Sequence, residues 1–120
     1  MEQPSFRKPQ HDELRLLIHL GSHMAIEARF GDDWFDRLMV MSMDDGGMGS
    51  LKLHLTGHTR GDKSAPCTRP FVVFKDVDEM DVWATMHFDE NGLPYELDVW
   101  KVDFSPLQRI PVVLPAVQVE

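Results

Sequence analysis

Carboxylates recur at close spacing in Asp76-Val77-Asp78-Glu79-Met80-Asp81. Such a run invites three kinds of chemistry. It resembles a calcium loop, but it has no central glycine and no closing glutamate at the spacing such loops need. Paired carboxylates also suit acid–base work, which needs a pocket that drives their pKa values apart, and nothing in the sequence marks one. The third use is electrostatic, as a surface that attracts a basic partner. Other candidates for chemistry are weaker. His19 and His23 stand four apart, a spacing that suits a metal on a helix, yet no nearby Glu or Cys completes a site. Asp44-Asp45-Gly46-Gly47-Met48-Gly49 resembles an anion-cradling loop in composition. A phosphate loop requires a following helix and a Lys or Ser/Thr; here a strand pattern follows, and two aspartates repel phosphate. Cys67 lies outside any motif that makes a nucleophile. No residue is therefore assigned to catalysis or to a metal, and no cofactor is expected.

The elements that must position these residues centre on Asp89–Leu107. Asn91-Gly92 sits between two alternating runs and predicts a hairpin with a two-residue turn. Met80, Val82, Ala84, Met86 and Phe88 share one face of the first run. Leu93, Tyr95, Leu97 and Val99 share one face of the second. A two-residue turn pairs Phe88 with Tyr95, Met86 with Leu97 and Ala84 with Val99, so the apolar faces coincide. The same register sets Trp83 opposite Trp100 on the polar face, among Asp81, Glu96 and Asp98. Two readings of this pair stay open: it pins the hairpin beneath another segment, or it is an exposed anchor ringed by carboxylates, the composition of an interface hot spot. Ser105-Pro106 ends the strand.

Charge sharpens the second reading. The 120 residues carry a net charge of −8. Residues 76–103 hold nine acids (Asp76, Asp78, Glu79, Asp81, Asp89, Glu90, Glu96, Asp98 and Asp103) against one base, Lys101. The rest of the chain balances, with eleven of each. A nucleic acid would be repelled by this surface, whereas a basic protein would be steered toward it. The candidate partner-binding residues are Trp83, Trp100, Asp81, Glu96, Asp98, Asp103, Asp76 and Asp78.

Length and composition fit a single soluble domain, 1–120, with an arm over 1–9, a core over 10–107 and a proline-containing extended tail over 108–120. Asp12-Glu13 open a helix that ends near His23, with Leu14, Leu17, Ile18 and Gly21 on one face, widened by Leu20 and Met24. A short second helix is plausible between Ala25 and Asp36. Strands are expected near 38–43, 49–56, 70–75, 80–89 and 93–103. The long polar loop 57–70 carries Arg60, Lys63 and Arg69. In the tail, Pro111 and Pro115 exclude a helix, and Val112, Val113, Leu114 and Val117 are expected to cover the chain's own core. The predicted fold is α+β, the helix packing on a five-stranded antiparallel meander. The N-terminus lacks a signal-peptide pattern, no run is long enough to span a bilayer, and the lone Cys67 suits a reducing compartment. A cytoplasmic protein is expected.

DDGGMGSL at Asp44–Leu51 and ELDVWKVDFSPL at Glu96–Leu107 resemble the two signature blocks of a small bacterial domain family of unknown function. The resemblance takes in the F-x-D-x-D stretch at Phe74–Asp78 and spans roughly residues 10 to 108. Members usually carry Asp-Gly where this chain has Asp78-Glu79. The resemblance implies no activity and no catalytic residue. At the level of class, small acidic single-domain proteins also resemble the immunity proteins that neutralise bacterial toxins. The expected function is a non-enzymatic protein-binding domain, an acidic immunity-like inhibitor of a basic bacterial partner such as a toxin domain. The alternative is a small carboxylate-based metal-binding domain or enzyme.

Overall fold

The computed structural model describes residues 5–63 and 69–119; Cys67 and residues 1–4 of the expected arm lie outside them. α1 (His11–His23) begins where Glu13 Oε1 accepts the Gln10 N–H at 2.8 Å, and Arg7 locks that carboxylate from the arm at 2.8 Å. Its buried face is Leu16, Leu17, Leu20 and Gly21, so the stripe is turned from the expected one toward Leu16, and Leu14 and Ile18 lie at its margins. A short α2 (Ile26–Phe30) and a 3-10 turn (Trp34–Arg37) follow, both within the ambiguous 25–36 stretch or at its edge. Gly21 is needed because the Trp34 ring lies against the helix: a Cβ there would meet Trp34 Cη2 at 2.7 Å.

The strands are β1 (Leu38–Ser42), β2 (Leu51–Leu55), β3 (Pro70–Lys75), β4 (Asp81–Phe88), β5 (Pro94–Lys101) and β6 (Gln118–Val119). The first five lie close to the expected bounds. The sheet has six strands rather than five, because the end of the tail pairs antiparallel with Pro70 and Phe71 of β3. Nor is it a simple meander. The order is β1-β2-β5-β4-β3-β6, so the β2–β3 connection carries the chain across the sheet and β5 lands between β2 and β4. Alternation within each strand is satisfied by either order, which is why pattern alone does not separate them.

One face of the sheet is the core. Leu38, Val40, Leu51, Leu55, Val72, Val82, Ala84, Met86 and Leu97 are buried there in one cluster with Leu16, Leu17 and Leu20 of α1. The tail closes the rim of this core. Ile110 is buried, Leu114 and Val117 pack against the cluster, and Arg15 and His19 hold the carbonyls of Pro111 and Pro115 at 2.7 and 2.6 Å. Val112 and Val113 do not cover the core as expected; they are 68% and 84% exposed.

The hairpin differs from expectation in its turn and agrees in its register. Asp89 N–H donates to Leu93 O and Gly92 N–H to Asp89 O, so the loop is Glu90-Asn91-Gly92, with positive φ at Gly92 alone among these three. This is the three-residue loop that closes through a left-handed glycine. Phe88 consequently faces Pro94 instead of Tyr95. An irregularity beside His87 and Phe88 absorbs the extra residue, and Met86↔Leu97, Ala84↔Val99 and Trp83↔Trp100 fall into the expected pairs. Tyr95 is left on the other face, under the Arg60 guanidinium at 3.9 Å.

Two substitutions test these turns in opposite directions. Gly92 has φ +80°, so Gly92→Val is expected to destabilise the fold by about 1 kcal/mol or more. Glu79 has φ +69°, the conformation glycine favours, so Glu79→Gly is expected to stabilise by about 0.5 kcal/mol. Urea unfolding midpoints measure both; unchanged midpoints would reject the turn geometry.

Candidate functional site

The second face of the sheet carries the residues that alternate with the core. Trp83 and Trp100 stand directly opposite each other on it, 39% and 41% exposed. The Phe71 ring of β3 stacks on Trp83 at 5.4 Å, with 12° between planes. On the other side Phe104 meets Trp100 edge-on at 6.2 Å. Phe104 follows β5 in a turn where its N–H donates to Lys101 O, and positive φ holds the side chain outward, 66% exposed. Four aromatic rings therefore run across β3, β4, β5 and the turn beyond. Phe71 and Phe104 were missed by sequence reasoning, although alternation around Pro70–Lys75 already puts Phe71 on the face opposite Val72 and Phe74.

The expected carboxylates divide into two groups. Asp81, Glu96, Asp98 and Asp103 surround this aromatic strip. Asp81 bonds Lys75 Nζ at 3.0 Å, Glu96 faces Lys52 across the β2–β5 pairing, and Asp98 lies 4.0 Å from His87 Nε2. Asp103 accepts the Ser105 hydroxyl at 2.7 Å and its N–H at 3.1 Å, and these bonds hold its carboxyl below the usual range.

Asp76 and Asp78 are elsewhere, at the end of the sheet around Lys101. Alternation places Lys101 in phase with Leu97 and Val99, on the core face, where its side chain is fully buried. Its ammonium bonds Asp76 at 2.9 Å, Asp78 at 2.7 Å and Pro106 O at 3.2 Å. Asp76 also accepts the N–H groups of Val77, Gln108 and Arg109 at 2.7–3.0 Å. The Gly-rich loop closes the other side. Asp45 accepts the N–H groups of Met48 and Ser50, Ser50 Oγ bonds both N–H and C=O of Val99, and Gly47 O accepts the Leu107 N–H. A Cβ on Gly47, at φ +82°, would sit 3.3 Å from Pro106 Cβ. The three stretches that carried the family resemblance thus meet at one point. Asp89 does similar work at the hairpin tip, accepting the N–H groups of Gly61, Asn91 and Leu93.

The electrostatics of the Lys101 cluster keep it charged. Burial pushes the Asp76 carboxyl up, but the amides of Gln108, Val77 and Arg109 together with Lys101 outweigh it, and the group sits below its ordinary value. Burial pushes Lys101 down, but Asp78 and Asp76 outweigh that, and it sits above its ordinary value. A proton donor or acceptor near neutrality needs the reverse. The cluster binds structure together. No buried side-chain polar atom among the described residues lacks a partner.

The other chemistry-bearing residues are likewise placed. His19 holds the tail and His23 is exposed, so the two are not brought together as a site. Among the described residues no three His, Cys, Asp or Glu side chains converge in a metal-holding arrangement. No helix among them is long and apolar enough to cross a membrane.

Removing the Asp76 carboxylate takes one of its two carboxylates from a buried ammonium and leaves three amides without their acceptor. Asp76→Ala is expected to cost about 3–5 kcal/mol in urea unfolding. Because the folded-state value of Asp76 is depressed, its stabilisation is present above the unfolded value near about 3.9 and is lost as pH falls through the folded value. Lys101 acts at the other end: its contribution is present below about 10.4 and is lost as pH rises through its raised value. The unfolding midpoint of the wild type should fall steeply below about pH 4, and that of Asp76→Asn should fall less steeply. Parallel acid limbs would reject the assignment.

No curated protein and no solved structure matches the chain. Residues 6–111 match the model of the domain of unknown function DUF6984, and the chain belongs to that family.

Proposed function

We propose that this chain is a non-enzymatic protein-binding domain, an immunity-like inhibitor of a basic protein partner such as a toxin domain, and that it takes this partner on the open face of the sheet. The observation that carries the reading is the Trp83–Trp100 pair, opposed in register and two-fifths exposed on the face of the sheet opposite the core that α1 packs against. Large rigid aromatics are costly to leave in water, and they supply most of the affinity where they seat in a partner's pockets. Indole faces also attract guanidinium and ammonium groups. Around the strip, Asp81, Glu96, Asp98 and Asp103 outnumber Lys52, Lys75 and Arg60, so the face keeps the sign of the whole chain, which is −8. Asp76 and Asp78 drop out of the contact set because Lys101 engages both. The alternative of a carboxylate-based metal site or enzyme has less support, since those two carboxylates are spent on Lys101 and Asp89 is spent on backbone amides.

The test separates anchoring from steering. A partner is captured on the wild-type domain at low salt, identified, and its association and dissociation rates are measured on variants. Trp100→Ala should speed dissociation, with a loss of about 2 kcal/mol. Asp98→Lys should slow association and flatten its dependence on salt. A captured partner that binds both variants with wild-type rates would sink the open-face reading.

A further inference from the structure

The outer edge of β3 is unfinished. Asp76 N–H points inward to Met80 O, so the alternation of an antiparallel ladder aims the N–H and C=O groups of Phe71, Val73 and Lys75 outward. β6 reaches only Pro70 and Phe71. The outward groups of Val73 and Lys75 have no backbone partner among the described residues. The tail does not pair beside them, because Arg15 and His19 hold the Pro111 and Pro115 carbonyls toward α1.

What lies beside this edge is a groove of about 280 Å³, lined by Lys75, Asp76, Val77, Arg109, Pro111 and Val112. Its walls are apolar and exposed: Val77 at 58% and Val112 at 68%. Its floor is rigid, since Asp76 is fixed by Lys101, Gln108 and Arg109. Its one uncommitted charge is the Arg109 guanidinium, which makes no hydrogen bond or ion pair among the described residues; Lys75 is paired with Asp81.

We propose that this edge is a second binding site, which takes an extended acidic peptide segment of a partner protein as a further strand against Val73 and Lys75. Unpaired strand-edge amides and carbonyls at alternate positions demand an extended backbone as occupant. The valine walls suit its apolar side chains, and Arg109 selects a carboxylate. The site is independent of the tryptophan face, which looks away from the core on the sheet surface rather than along its edge.

The probe is a fluorescein-labelled pentapeptide of alternating Val and Glu, about 16 Å when extended, titrated into the full chain. Fluorescence anisotropy should saturate. Arg109→Glu, which keeps the backbone N–H on Asp76, should weaken binding about tenfold, and Trp100→Ala should leave it unchanged. A pentapeptide with proline at its second and fourth positions should not bind, since it cannot donate to the edge. Amide hydrogen exchange at Val73 and Lys75 should slow when the Val-Glu peptide is added. The proposal is overturned if the anisotropy does not saturate at millimolar protein, or if the proline peptide binds equally. It is also overturned if Arg109→Glu binds as well as wild type, or if Val73 and Lys75 become protected by raising protein concentration alone, which would assign the edge to a second copy of this chain.

Discussion

A lysine ammonium with no access to water has to be neutralised where it lies, or the structure around it gives way. Lys101 imposes that condition on this fold. Two carboxylates and a carbonyl answer it, and they come from two separate places: Asp76 and Asp78 from the β3–β4 turn, Pro106 from the segment after β5. Asp76 then has oxygen lone pairs to spare, and the backbone amides of Gln108 and Arg109 take them. The start of the tail is thereby fixed, which lets Ile110 reach the core rim. One buried charge thus dictates the conformation of a turn, a strand end and the root of the C-terminal segment. A well-packed apolar residue would be no less stable in isolation, but it would not order these three segments relative to one another.

The acidity of the chain takes on a different meaning in this light. Of the nine acids between 76 and 103, Asp76, Asp78 and Asp89 are spent on internal donors, and Asp81 is matched by Lys75. The charge that stands out in the sequence is therefore partly structural. What remains on the open face is modest in charge and rich in rings. The separation of the two faces also separates their demands. The core face is constrained by packing against α1, whereas the face with Trp83 and Trp100 is turned away from that helix.

Local patterns are legible in the sequence because they depend on residues near one another. Alternation in Leu51–Leu55 and Asp81–Phe88 locates strands, Asp12-Glu13 locates a helix start, and the apolar register of the hairpin survives an error in its turn. The turn itself is ambiguous because Asn-Gly serves both two-residue and three-residue loops, and only the backbone distinguishes them. The adjacency of β2 and β5 leaves no trace in either strand, since both are buried on the same face whichever neighbour they have. Lys101 is visible as the one base in an acidic stretch, and its phase with Leu97 and Val99 marks it as inward. Without that phase in view, Asp76 and Asp78 fall to the partner surface. The aromatic pair is found correctly in register, but its companions Phe71 and Phe104 are not, because one lies on a different hairpin arm and the other follows the strand's end.

The strand order also bears on how the chain acquires its structure as it leaves the ribosome. β1 and β2 emerge first and form a hairpin whose inner edge has nothing to join. β3 and β4 emerge next and form a second hairpin, separated from the first by the place that β5 will occupy. The residues that complete the sheet are thus the last of its five long strands to be made. Until Lys101 and the Gln108-Arg109 amides have been released, the inner backbone edge of β2 is unpaired and Asp76 lacks its main partners. Synthesis proceeds at about 5–20 residues per second, so this interval lasts seconds. It is the period in which unpaired strand edges are most open to the wrong partner, and it closes only when β5 takes its place between β2 and β4.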